Sequence, residues 1–187
     1  MDKKIIESRL LRNPKYSSTW VETAAKILTR SNTFTEEKLA EFNAEQLEII
    51  NAAIEYNEKA AEDARASIMD IANPELNATQ MRLILAGQQN KIPIAFLKTV
   101  VSKNIPYATS NYIVQAAVDG YDMAKYVKGY DNDQVYEIYA GIHNNVDINV
   151  YDKPRINADI MGLVRHALEI DKAVSIDMES GKVTIDF

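Results

Sequence analysis

The chain has 187 residues and no cysteine. Disulfide staples, thiolate metal sites and a cysteine nucleophile are therefore excluded. Glycine and proline are scarce, at six and five, too few for a turn-rich β-sandwich and better suited to helices. No apolar run approaches the roughly 18–20 residues of a membrane span. The opening MDKKIIESRLLRNPKY is basic but lacks an apolar h-region, so it does not read as a signal peptide. A glycine-rich phosphate loop, G-x-S-x-G and H-E-x-x-H are also missing. These absences predict a cytosolic protein with no cofactor, no metal and no catalytic residues. A dispersed carboxylate pair is the one hydrolase arrangement left open.

What the chain does have is apolar residues, at 47%, and a net charge of −6. The charge is uneven. Residues 1–30 hold seven Lys/Arg against Asp2, Glu7 and Glu22, which is +4 and leaves −10 for the remainder. An acidic body repels phosphate backbones and attracts basic protein surfaces.

Residues 1–41 read as short helices. Ile5, Ile6, Leu10 and Leu11 have helical spacing, and Asn13-Pro14 ends that element. Thr19 with Glu22 has the spacing of a capping box, and Thr35-Glu36-Glu37 opens a third short helix. From residue 42 to 173 the chain repeats itself, with unit starts at Phe42, Leu76, Ile105, Tyr130 and Ile156. The second position of a unit is Asn or Asp in four of the five, and the fifth is Gln in three, the spacing of an N-cap and its N3 partner. Unit three has Pro106 at the cap, which predicts a helix start at Ala108 or Thr109. An insertion in unit one, EKAAEDARASIM, is expected to lengthen its helix. Position nine is apolar. Position twelve is small (Ala53, Gly87, Ala116, Gly141, Ala167), which lets a neighbouring helix approach closely. A shorter second segment then follows, with Asp122 or Asp147 placed to cap it. Residues 174–187 alternate as a β-hairpin that must cap the array, pair with a second copy or pair with a partner strand. The predicted fold is mainly α: a short, solenoid-like helical-repeat array between an N-terminal helical segment and a C-terminal β-hairpin.

Unit four carries a resemblance. Tyr130, Asp131, Gln134, Val135, Ile138, Gly141, Ile142, Val146, Asp147, Ile148, Tyr151 and Pro154 follow in register a pattern of the type F-D-x-x-Q-M-x-x-I-x-x-G-L-x-x-G-L-D-V-x-x-Y-x-x-P. Asn145 stands where the pattern has glycine. Unit three matches the second half through Ala116, Gly120, Asp122, Met123 and Tyr126. The pattern resembles a helical repeat of bacterial mobile-element and phage-associated proteins. That resemblance implies a helical-repeat fold and a bacterial host cell, and no reaction.

His143 and Asp147 are too few for a metal site, and Asn144-Asn145 should end the helix between them. Tyrosine is more informative: eight of ten lie in residues 107–151, a stretch poor in Lys and Arg. Tyr126, Tyr130 and Tyr151 occupy repeat positions and are expected in the core. Tyr136, Tyr139 and Tyr121, with Asp119, Asp133 and His143, are candidates for a protein-binding surface. The partner would be a host or rival protein; an inhibitor of a CRISPR nuclease, occupying its basic channel, is one form this takes. The alternative is nucleic-acid binding through Lys3, Lys4, Arg9, Arg12 and Lys15, with the repeats as a homodimer interface.

Overall fold

In the computed structural model, which describes residues 2–177 and 182–186, the chain is mainly helical with a two-stranded antiparallel hairpin at its C-terminal end. It divides into two compact bodies, Met1–Lys103 and Asn104–Phe187.

The first body holds α1 (Lys3–Leu10), α2 (Ser18–Arg30), α3 (Glu36–Leu39), α4 (Ala44–Lys59), α5 (Ile68–Ile71), α6 (Ala78–Gln89) and α7 (Ile94–Val100). Its long helices pack in chain order, α2 on α4 and α4 on α6. The second body holds α8 (Tyr107–Val118), α9 (Asn132–His143) and α10 (Ala158–Glu169), again packed in order. Short 3-10 turns at Ala124–Val127 and Ile148–Val150 follow α8 and α9. After α10 come β1 (Ala173–Ile176) and β2 (Val183–Asp186). They pair Val174 with Ile185 and Ile176 with Val183, and both strands pack against α10. Met178 and Phe187 of the expected hairpin, and residues 179–181 between its strands, lie outside the described residues.

The capping chemistry of the units forms as the spacing predicts. Asn43 with Gln46, Asn77 with Gln80 and Asp131 with Gln134 each make a reciprocal box. The cap oxygen accepts the N3 backbone N–H, and the Gln oxygen accepts the cap N–H. The staple residues Leu47, Met81, Val135 and Met161 are fully buried, and so are Ile50, Ile84, Ile113, Ile138 and Val164 at position nine.

Four local expectations change. The cap of α2 is Ser17 rather than Thr19: Ser17 is the last extended residue, and its hydroxyl accepts the Trp20 N–H at 3.1 Å. Helix α8 starts at Tyr107, because Pro106 is itself extended at the cap and no N–H is needed there. The insertion does not lengthen α4 beyond Lys59. Asn57 instead binds both backbone groups of Ala66, at 2.7 and 2.8 Å, and folds residues 60–66 into a loop. Finally, the glycines at position twelve make room for the short segment of their own unit. A Cβ on Gly141 would fall on the Tyr151 hydroxyl, and one on Gly87 would lie 2.6 Å from Leu97.

Position sixteen also recurs in units two to five. Lys91, Gly120, Asn145 and Asp171 all have φ between 56 and 90°. The next N–H bonds back to the position-twelve carbonyl in every case: Ile92 to Gly87, Tyr121 to Ala116, Val146 to Gly141, Lys172 to Ala167. This is one Schellman-type ending used four times.

Candidate protein-interaction surface

The fifth position of units one to four does a second task. Besides closing its cap, Gln46 donates through Nε2 to the Leu76 carbonyl, the first residue of the next unit, at 2.6 Å. Gln134 does the same to Ile156 at 2.6 Å, and Gln80 donates to Ser102 at 2.8 Å. Thr109, at the same place in unit three, donates to Asn132. All four side chains are buried. In unit five the position holds Ile160, which has no donor.

Trp20 fits the series. It sits at N3 after the Ser17 cap, it is buried, and its indole N–H donates to the Phe42 carbonyl at 2.9 Å. Tyr16, stacked on it at 3.8 Å, lies 26 residues before Phe42, and Val21 and Ala24 fill the staple and position-nine places. The segment Tyr16–Glu41 therefore repeats the unit plan with tryptophan in place of glutamine. Period counting on Asn/Asp and Gln misses it; the Ser17-to-Trp20 spacing was the available signal.

This frame places the surface residues. On α9, Asp133, Tyr136, Tyr139 and His143 follow one another at spacings of three or four, so they share a stripe about 15 Å long. Tyr112 of α8 lies between its tyrosines, with ring centroids 5.4 Å from both Tyr136 and Tyr139. Tyr139 stacks in turn on His143 at 6.1 Å. Asp119, at the end of α8, is 4.0 Å from the His143 ring nitrogen. Acids thus bracket an aromatic row. Tyr136 is 43% exposed and Tyr139 half-buried. Neither α8 nor α9 contains a lysine or arginine. Tyr121 is not part of the row; it lines a separate cavity of about 540 Å³ with Asp122, Lys125 and Asp147. Tyr112 was not singled out from the sequence, because its role depends on α8 lying against α9.

Elsewhere in the second body a partly buried polar network ties the chain together. Asp152 accepts from the Tyr126 hydroxyl at 2.7 Å and from Lys125 and Lys153 at 3.1 Å. Burial alone would raise its carboxyl, but these three donors hold it below the usual carboxylate range. Burial, reinforced by Asp152, pushes the Tyr126 phenol up, so it stays a donor. Arg165 of α10 bridges Glu137 of α9 at 2.8 Å and Glu169 at 2.5 Å.

The basic N-terminal residues form no comparable face. Lys3 pairs with Glu7 at 3.2 Å and Arg9 with Glu36 at 3.1 Å, while Lys4, Arg12 and Lys15 are exposed. Residues 1–103 as a whole hold 14 Lys/Arg and 14 Asp/Glu, whereas residues 104–187 hold 7 against 13. The entire net charge of the chain therefore lies with the tyrosine row. His166 is exposed and bonded to Glu169 of its own helix at 3.0 Å. Among the described residues no cluster of three His, Asp or Glu could hold a metal ion, and no helix is long and apolar enough to cross a membrane.

Compared with family models, with curated proteins and with solved structures, the chain gives no match in any of the three.

Proposed function

We propose that the protein is a non-catalytic binding module whose α8–α9 face engages a partner protein of basic surface. The observation that carries this reading is the acid-bracketed row Asp133–Tyr136–Tyr112–Tyr139–His143–Asp119 on two helices without a cation. Tyrosine gives large contact area at low entropic cost. Its ring face also accepts Arg and Lys heads, at about 0.5–1 kcal/mol each when exposed. Flanking carboxylates speed encounter with a basic partner and fix its register.

In its finer form the proposal rests on the repeat resemblance. The module belongs to a mobile element or phage, acts in the bacterial cytoplasm, and blocks the basic nucleic-acid channel of a host defence nuclease of the CRISPR type.

Affinity capture from host lysate, run in parallel with wild type and with the double variant Tyr136→Ala/Tyr139→Ala, tests the coarser reading. A partner retained by wild type and lost at least about tenfold by the variant, a change of roughly 1.4 kcal/mol, supports it. Equal retention by both removes the row from the interface. Inhibition of RNA-guided cleavage by wild type but not by the variant supports the finer reading, and absence of inhibition across several effectors ends it. Salt-sensitive retardation of DNA, lost on Lys4→Ala/Arg12→Ala/Lys15→Ala, would favour the basic N-terminal helices instead.

A further inference from the structure

The sheet of the second body is two strands wide, so β2 has β1 on one side and, among the described residues, no strand on the other. β1 also lies against the 3-10 turn Ile148–Val150. A bare strand edge is a template for another strand unless a proline, a bulge or a cover blunts it. β2, Val-Thr-Ile-Asp, has no proline and pairs with β1 in unbroken register.

The register decides which groups line that edge. The Asp177 N–H donates to the Lys182 carbonyl at 2.9 Å, which makes these two a hydrogen-bonded pair of the ladder. Such pairs alternate along antiparallel strands, so Thr184 and Asp186 also turn their backbone groups inward, to Ser175 and Ala173. Val183 and Ile185 therefore turn their N–H and C=O outward. Their side chains are half-buried, on a hairpin that packs against α10, whereas Lys182, Thr184 and Asp186 are exposed.

The segment Lys182-Val183-Thr184-Ile185-Asp186 is complementary to its own reverse. In an antiparallel pairing of two copies centred on Thr184, Val183 meets Ile185 and Lys182 meets Asp186. The two outward-facing residues then become the hydrogen-bonded pairs, and both Lys–Asp pairs stand directly across the strands on the exposed face. Centring on Val183 or Ile185 instead would set Thr184 against Lys182 or Asp186 and lose both ion pairs. We propose that the protein forms a symmetric homodimer in which β2 of each copy pairs with the other across a two-fold axis at Thr184. The product is a four-stranded sheet, two strands from each copy, which is the width at which a sheet stops being marginal. The axis is perpendicular to the sheet, so both α10 helices lie on one face of it. The two most exposed large apolar side chains described in the second body, Leu163 at 61% and Ile170 at 62%, are on or next to α10. The pairing stands without the tyrosine row, which each copy carries separately.

The chain has no cysteine, so a single thiol can probe the axis. Thr184→Cys in the full chain, treated with oxidised glutathione, should link two copies, since non-hydrogen-bonded pairs hold their Cα atoms about 4.5 Å apart, within disulfide reach. Ser175→Cys, equally exposed but one strand further in, should not. Sedimentation equilibrium of the unaltered chain should give a dimer with a Kd of roughly 10 μM or tighter. Ile185→Pro removes an outward N–H and none of the β1–β2 bonds, and should weaken the dimer at least about tenfold. Lys182→Glu and Asp186→Lys should each weaken it about threefold or more. An equimolar mixture of these two variants should restore it, because both cross-strand pairs of the mixed dimer are again of opposite charge. That rescue cannot come from a hairpin that merely folds badly. A mixture no tighter than either variant alone, equal linking through positions 175 and 184, or an unaltered chain that stays monomeric at roughly 200 μM overturns the inference. The last outcome would leave the edge to a strand of another protein.

Discussion

The two bodies share a plan and differ in almost everything exposed. Each packs three long helices in chain order, each uses the same N-terminal box (on α4 and α6 in the first, on α9 in the second), and each seals the next segment with a buried position-five donor. The first body is charge-balanced, has two of the ten tyrosines, and follows its long helices with true short helices. The second carries all the net charge and eight tyrosines, and uses 3-10 turns and a hairpin instead. The buried positions define the unit and tolerate little change. The exposed ones are free of that constraint, which is where the aromatic row of the second body could arise.

The largest expected effect separates the two glycines of position twelve. Gly141→Ala should cost about 3 kcal/mol, because its methyl meets the Tyr151 hydroxyl, fixed on the Glu137 carbonyl at 3.2 Å. Gly87→Ala meets only the end of the Leu97 side chain and should cost about 1 kcal/mol. Urea unfolding of both variants decides this; a gain in stability at Gly141, as helix propensity alone would give, refutes the packing argument.

Next come the linking donors. Gln134→Leu and Gln46→Leu should each cost about 2 kcal/mol, losing half a capping box and leaving the Ile156 or Leu76 carbonyl unpaired. Trp20→Phe should cost about 1 kcal/mol if Trp20 plays the same part. Ile160→Gln, where the described structure offers no such carbonyl partner, should be close to neutral. Equal costs at Gln134 and Ile160 would deny the shared role.

Asp152 and Asp70 compare the bodies by pH. Both carboxyls sit below their ordinary value, Asp70 first through Lys98 and then Ser67. A depressed folded pKa gives stability that is present above the unfolded value, about 3.9, and lost as pH falls through the folded one. Acid should therefore weaken both. Asp152→Asn should cost more at neutral pH, about 1.5 kcal/mol against less than 1 for Asp70→Asn. The reason is that Asp152 is 9% exposed and serves three donors. Hydrogen exchange of α9 and α6 amides at pH 7 and 4 reads each body separately.

The smallest effect lies at the left-handed residues. Lys91→Gly should stabilise by about 0.5–1 kcal/mol, and Asn145→Gly by less, since Asn tolerates that conformation. A loss at Lys91 would mean that its side chain makes a stabilising contact that outweighs the backbone strain.

Most of the helical frame was legible because it is local. The boxes at Asn43, Asn77 and Asp131 and the helix-ending Asn145 need only neighbours three or four residues away. The α2 cap was misplaced because Ser17 and Thr19 both suit the task, and only burial of Trp20 selects between them. The insertion in unit one kept helical composition, yet two bonds from Asn57 to Ala66 outweigh its propensity. Tyr136 and Tyr139 could be nominated from their variable repeat positions and His143 from its place at a helix end, whereas Tyr112 could not.

The sequence alone determined the capped starts of α4, α6 and α9, the apolar positions those helices bury, and that acid and tyrosine concentrate late in the chain, because capping and amphipathic spacing act over a single turn. Tertiary structure decided the rest. It turned three glutamines, a threonine and a tryptophan into one set of links, since their partners lie 22 to 30 residues away. It also interleaved Tyr112 between Tyr136 and Tyr139, and left Gln88 a donor with no acceptor. Each of these depends on which carbonyl or ring the packing of distant segments brings within hydrogen-bond or stacking distance, and no local pattern encodes that.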